Sequence, residues 1–481
     1  MTRAQVDAAV SKIDDIVQSG MSSTGVPGVA VAVVFHDQVV LAKGYGVRTI
    51  GQPDKIDTDT VFQLASMSKP VSSTAVAALV GKGVIKWSDP VHPYAPSLVF
   101  SDPWVTDHVT FADLYSHRTG LPGDAGDSLE SIGYTRDQIL QRLRYVPLNP
   151  FRASYGYANF GTTAGGDAAA KAAGVGFEDM MDQQLFQPAG MTASSARYAD
   201  FLARADRATI HARIDGNWVP GPPRMPDAQA PAGGVSSNIK DMATWMRLQL
   251  AGGKLAGQQI VAEDALAATH TPQIVIDPLA APDAPGDFYG LGWIVGVNHL
   301  GYMRWAHSGA FTNGAATTVQ LLPTEQLGVV VLTNGQPIGL SEGVADDIID
   351  TVVKGAPTQD WVKHWGEHFA PEYIPDPSLV TPPANSTPAQ PNDAYTGSYA
   401  NDFYGTFEVT DGPAGLSLVE GPAKVTFPLT HFDGNTFLEF PVAGEPHKPL
   451  AIEFTMGPDG KASAISLGGA DGGGLETLTR A

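Results

Sequence analysis

Apolar residues at Val6, Ala9, Val10, Ile13 and Val17 recur at helical spacing and predict an amphipathic helix over residues 4–18. The pattern then changes. VPGVAVAVVFHDQVVLAKGYGVR (26–48) is Val-rich around a polar turn at His36-Asp37-Gln38 and predicts two strands. From about 60 to 250 the pattern is mostly helical, with Gly/Pro punctuation such as HRTGLPGDAG at 117–126. Strand signals return at 288–297, 301–309, 315–323 and 326–334, and SEGVADDIIDTVV (341–353) predicts a closing helix. Strands at both ends with helices between them predict an α+β fold: an antiparallel sheet flanked by helices, with an inserted helical lobe.

The pattern breaks again at seven prolines, Pro371, Pro375, Pro377, Pro382, Pro383, Pro388 and Pro391, a density that favours an extended, semi-rigid spacer. Beyond them, short apolar runs alternate with Gly turns, as in GTFEVTDGPAGLSLVEG, which predicts a small all-β unit, a barrel or a sandwich. The expected domains are therefore 1–356, a linker over 357–392, and 393–481.

Composition narrows the function classes. The 481 residues include 50 Asp plus Glu against 29 Lys plus Arg, a formal charge of −21. Such a surface repels phosphate backbones, so nucleic acid is not an expected partner. Cysteine is absent, which removes disulfides, thiolate metal sites and a thiol nucleophile together. No clustered His, Asp or Glu spacing suggests a metal, and no Gly-rich phosphate loop or dinucleotide fingerprint suggests a cofactor, so none is expected. Lys12, Asp14 and Asp15 interrupt what would be the apolar core of a leader, and no apolar run is long enough to span a membrane. A cytoplasmic protein is the expectation, as monomer or homodimer.

Candidate chemistry concentrates in TVFQLASMSKPVSSTAVAALVGKG (60–83). Ser66 and Lys69 are three apart, so on a helix they share a face. A serine hydroxyl attacks only when a base takes its proton, and a lysine is that base only when its surroundings lower its proton affinity. The spacing alone is weak: Ser237-Asn238-Ile239-Lys240 repeats it, where Ser236 or Ser237 is expected to cap an ordinary helix. Taken singly, Tyr157 reads as a core aromatic, Asn159 as a turn residue, and His117 and His307 as satisfied histidines.

Order and context change that reading. Ser66-x-x-Lys69, then Tyr157-Ala158-Asn159, then His307-Ser308-Gly309, resembles the serine β-lactamase and penicillin-binding-protein superfamily, in its class C β-lactamase-like branch. VTFADLYSHRTGLP (109–122) and PAGGVSSNIKDMATWM (231–246) resemble the same branch, and YTGSYANDFYGTFEV resembles the small barrel appended to some members. The resemblance covers roughly residues 5–355 and implies an acyl-enzyme mechanism. Ser66 would be the nucleophile and Lys69 its activating partner. Tyr157 would be a phenolate or hydrogen-bonded general base, and Asn159 would hold the substrate carbonyl side or orient Lys69. His307, Gly309 and Ala310 would line the substrate edge, with the Ser66 and Ala310 N–H groups as the oxyanion hole. His307 stands where many members have lysine, and a histidine offers a hydrogen bond in place of a permanent charge. That implies a small-molecule ester substrate, a carboxylesterase-like activity and weak or no β-lactam turnover, with His307 charging as the pH falls toward 6. The alternatives left open are a D-amino-acid aminopeptidase, amidase or DD-peptidase, and a transacylase or a penicilloyl-binding protein that does not turn over.

Overall fold

The structure, a computed structural model, describes residues 1–276, 286–440, 448–468 and 474–481. The larger, N-terminal unit is built on an antiparallel sheet. Its order is Gln38–Gly46, Gly28–Phe35, Leu327–Thr333, Ala315–Leu322, Met303–Phe311, Ile294–Val297, Phe288–Tyr289 and Ile274–Val275. The two ends of this unit thus meet at the pairing of Val31 with Val331. Gly28–Phe35, Ala315–Leu322 and Leu327–Thr333 are buried along their whole length. Alternation sorts their side chains between two layers. Val29, Val31 and Val33 meet the terminal helices, where Val6, Val17, Val344 and Ile348 point inward. Ala30, Ala32 and Val34 face the inserted helical lobe, and their small size admits Met242 and Met246.

Three expectations need correction. The helix over 4–18 is two helices, Arg3–Val10 and Ile13–Thr24, and the break keeps Val6, Ala9, Ile13 and Val17 all buried. The strand over 288–297 is a tight turn between two short strands, because Gly292 takes φ +85° and backs onto the Lys69 carbonyl, where a Cβ would sit 2.9 Å away. The proline-rich linker carries a helix, Trp361–Phe369, inside its expected bounds. That helix is held to Leu340–Lys354 by two indole N–H bonds of 2.7 Å, Trp361 to Asp350 and Trp365 to Asp346.

Among the described residues, the C-terminal unit has nine strands in one antiparallel sheet curled into a nearly closed barrel. Its interior is aromatic and aliphatic: Tyr399, Phe407, Leu418, Phe454 and Ile465 are buried. It docks on the helical lobe. Ala423 N–H donates to the Ile132 carbonyl at 3.2 Å, Tyr134 O–H to the Tyr404 carbonyl at 2.8 Å, and Arg142 reaches the Asp402 and Phe403 carbonyls.

Candidate active site

Ser66 lies in a tight turn, Ala65–Met67, that opens the helix Ser68–Gly81. That helix is buried on every side for most of its length, and most of its side chains are small. Ala65 takes φ +48°, a conformation that costs a residue with a Cβ about 1 kcal/mol or more. The surroundings hold it there. Leu64 N–H donates to the Val235 carbonyl at 2.9 Å, Thr317 O–H to the Leu64 carbonyl at 2.7 Å, and Val235 N–H to Ser68 Oγ at 2.9 Å.

One turn on, Lys69 is fully buried, with Nζ 3.0 Å from Ser66 Oγ. The same Nζ lies 2.6 Å from Asn159 Oδ1, 3.2 Å from the Ala232 carbonyl and 4.4 Å from the Tyr157 ring centre. Burial pulls its proton affinity down to about 7, against the opposing pull of Asp127 and Asp124. Among the described residues no carboxylate touches it, which is what leaves a buried ammonium able to shed its proton.

Tyr157 and Asn159 arrive on a loop pinned to a neighbouring loop. Asn149, Arg152 and Gly156 donate backbone bonds to the carbonyls of Gly120, Arg118 and His117. Buried Asp113 ties the two loops together, accepting from Arg118 Nε at 2.7 Å and Arg152 Nη2 at 2.8 Å. The Tyr157 hydroxyl lies beside Ser66, whose side chain opposes the effect of burial on it. Burial raises its proton affinity further above the ordinary phenol, so the resting group is the neutral hydroxyl and the phenolate expectation is corrected. Asn159 opens the helix Asn159–Ala172, and its Nδ2 donates to Asp127 Oδ2 at 2.6 Å.

His307 sits on the strand Met303–Phe311. Its Nδ1 is 2.6 Å from the Ser308 carbonyl, so it carries the proton there, and Nε2 then accepts from the Tyr289 hydroxyl at 2.7 Å. Burial beside Lys69 lowers its proton affinity to about 3, so the expected charging near pH 6 does not occur. Gly309 is forced: a Cβ would lie 2.1 Å from the Leu64 carbonyl oxygen and 2.9 Å from the Met67 nitrogen. This strand loses its pairing with Ile294–Val297 after Ala306, so its end from His307 onward passes the Ser66 turn, and Ala310 is exposed there.

The second S-x-x-K is not a site. Asn238, not a serine, caps the helix Ile239–Leu250 by accepting from Asp241 N–H at 2.9 Å. Ser237 is buried against Ser194, and Lys240 pairs at the surface with Asp59. His117 behaves as a loop histidine whose Nδ1 accepts from Ala158 N–H at 3.2 Å. Its ring lies 4.6 Å from those of both Tyr157 and Tyr289. The sequence reading missed Tyr289, Asp124 and Asp127. The one available signal was two acids in the Gly-rich run after Leu121-Pro122. Among the described residues, no group of three or more His, Asp or Glu could hold a metal ion, and no helix is long and apolar enough to cross a membrane.

The chain is similar to known proteins along most of its length. The Beta-lactamase family model matches residues 13–353, and a domain family of unknown function (DUF3471) matches 381–472. An unguisins hydrolase from Aspergillus campestris is 26% identical, over 94% of this chain and 88% of that protein. A D-alanyl-D-alanine-carboxypeptidase/endopeptidase from Escherichia coli is 24% identical, over 69% of this chain and 85% of that protein. The octameric penicillin-binding protein homologue from Pyrococcus abyssi superposes with TM-score 0.64 at 20% identity, over 98% of this chain and 100% of that one. The chain belongs to the β-lactamase family of the serine β-lactamase and penicillin-binding-protein superfamily, and is a hydrolase.

Proposed function

We propose that the protein hydrolyses small uncharged esters through an acyl-enzyme on Ser66. The observation that carries this is a buried lysine 3.0 Å from the Ser66 hydroxyl with its proton affinity near 7. At neutral pH much of Lys69 is a free amine. As Ser66 Oγ attacks the acyl carbonyl, Lys69 takes its proton and the carbonyl oxygen gains the negative charge. The Ser66 and Ala310 N–H groups face that oxygen in this reading, each donor contributing about 3 kcal/mol. The proton then passes from Lys69 through the Tyr157 hydroxyl to the departing alcohol oxygen as the acyl–oxygen bond breaks. Water repeats the sequence on the acyl-enzyme, giving the acid and restoring Ser66.

The preference for uncharged substrates rests on His307. With both ring nitrogens engaged and its proton affinity near 3, it places no cation opposite a substrate carboxylate. A second reading, cleavage of a peptide bond, is favoured by the similarity to a D-alanyl-D-alanine-carboxypeptidase/endopeptidase.

The deciding experiment compares kcat/KM for p-nitrophenyl esters of increasing chain length, D-alanine p-nitroanilide and nitrocefin. Ester turnover exceeding both others by about tenfold or more supports the esterase reading. The anilide in first place establishes the amidase. One equivalent of product followed by arrest identifies an acylating protein that does not turn over.

A further inference from the structure

The bonds around Lys69 do not end at Asn159. The Asn159 amide is held from both sides: Oδ1 faces Lys69 Nζ at 2.6 Å, and Nδ2 donates to Asp127 Oδ2 at 2.6 Å. An amide has one acceptor end and one donor end, so whatever takes the donor end fixes which end meets the lysine. Asp127 is the group that does so. A carboxylate accepts only, and it therefore excludes the flipped amide, which would turn two N–H donors toward an ammonium.

Asp127 has no other visible duty. It begins the short helix Asp127–Ser131, but the residue ahead of that helix is Gly126 and no side chain caps it. Its second oxygen, Oδ1, is buried with no hydrogen-bond partner. A buried carboxylate with one neutral donor and no ion pair is costly, and packing alone would favour an apolar residue here. We propose that Asp127 is a positioning residue for Lys69: it locks the Asn159 amide and acts, across that amide, as counter-ion to the Lys69 ammonium.

The groups around the pair agree. Asp127 and Asp124 both favour a charged Lys69, while burial opposes it. Burial, Asp124 and Glu130 push Asp127 up to about 7, in the same range as the lysine. Glu130 is engaged by Arg224 and Gln229. The remaining titratable neighbours, His117, His307 and Tyr157, are held neutral by burial. Among these groups Asp127 and Asp124 supply the negative charge that acts on Lys69.

This proposal rests on the serine-hydrolase reading, and its test keeps the two apart. The readout is the second-order rate of Ser66 labelling by a fluorophosphonate against pH, which needs no knowledge of the substrate. Asp127→Asn preserves an acceptor for Asn159 but removes the charge. Its acidic limb should move about one pH unit or more to lower pH. Asp127→Glu should return the limb to the wild-type position. Asp127→Ala frees the amide, and its plateau should fall about tenfold or more. A limb unmoved in Asp127→Asn, with wild type labelled at Ser66, overturns the role of Asp127 and leaves the hydrolase reading standing. Absence of wild-type labelling at Ser66 overturns both.

Discussion

Ser66 and Ser237 each stand three residues before a lysine, and their surroundings separate them. Lys69 is sealed in with its nitrogen on Ser66, whereas Lys240 lies at the surface against Asp59. Ser66→Ala should therefore remove turnover by about 10⁶-fold, and Ser237→Ala should leave it near wild type. Steady-state rates of both variants, with intact-mass localisation of a fluorophosphonate adduct, check this. An adduct on Ser237 would reverse the assignment. Tyr157→Phe keeps the ring over Lys69 and deletes the hydroxyl beside Ser66. With the proton relay gone, kcat should fall about 10²–10⁴-fold with little change in melting temperature. A wild-type rate would mean that Lys69 delivers the proton to the leaving group unaided.

Among the elements, the nucleophile turn and the strand Met303–Phe311 approach so closely that Gly309 has no room for a methyl group. Gly309→Ala must part them, and a shift of about 1 Å at a reacting centre costs about 10²-fold in kcat. The check is kcat and KM alongside circular dichroism, and an unchanged kcat in a folded variant would show that the turn absorbs the strain. At this scale the sequence was legible where local rules decide. The Val-rich strands, the closing helix and the S-x-x-K pair follow from period and spacing. It was illegible where partners are distant in the chain. Nothing near His307 announces that Tyr289, 18 residues earlier, takes its second nitrogen. Nothing in a Gly-rich run marks Asp127 as the partner of Asn159, 32 residues later. Competition among neighbours also hid the cap at Asn238, since Ser236, Ser237 and Asn238 are all good capping types.

At the scale of the whole molecule, the barrel brings a second pair of buried acids. Glu420 and Glu439 line a small cavity of about 90 Å³ against Ser128, Ser131 and Ile132 of the lobe, and neither has an ion-pair partner among the described residues. From an ordinary value of 4.5, burial pushes both carboxyls up, with repulsion between the two adding to it at Glu420. Above pH 4.5 the folded state therefore binds more protons than the unfolded chain, and stability present below that pH is lost as pH rises through the raised values of the pair. Glu439→Gln should flatten the decline of the melting temperature across that window and raise it at about pH 8. Calorimetry of the full chain at several pH values measures the slope, and parallel curves for the two proteins would refute the assignment.

The same seam bears on how such two-part enzymes can be recombined. The residues that receive the barrel run from Ser128 to Arg142, and Asp127 of the Asn159 bond immediately precedes them in the chain. A chimera that exchanges only 393–481 would place a foreign surface under Ile132 and Tyr134, displacing the helix that carries Asp127. A barrel transplanted together with the 128–142 stretch keeps its own landing site. The natural unit of exchange in this chain is therefore discontinuous: a C-terminal barrel and the piece of catalytic lobe on which it rests.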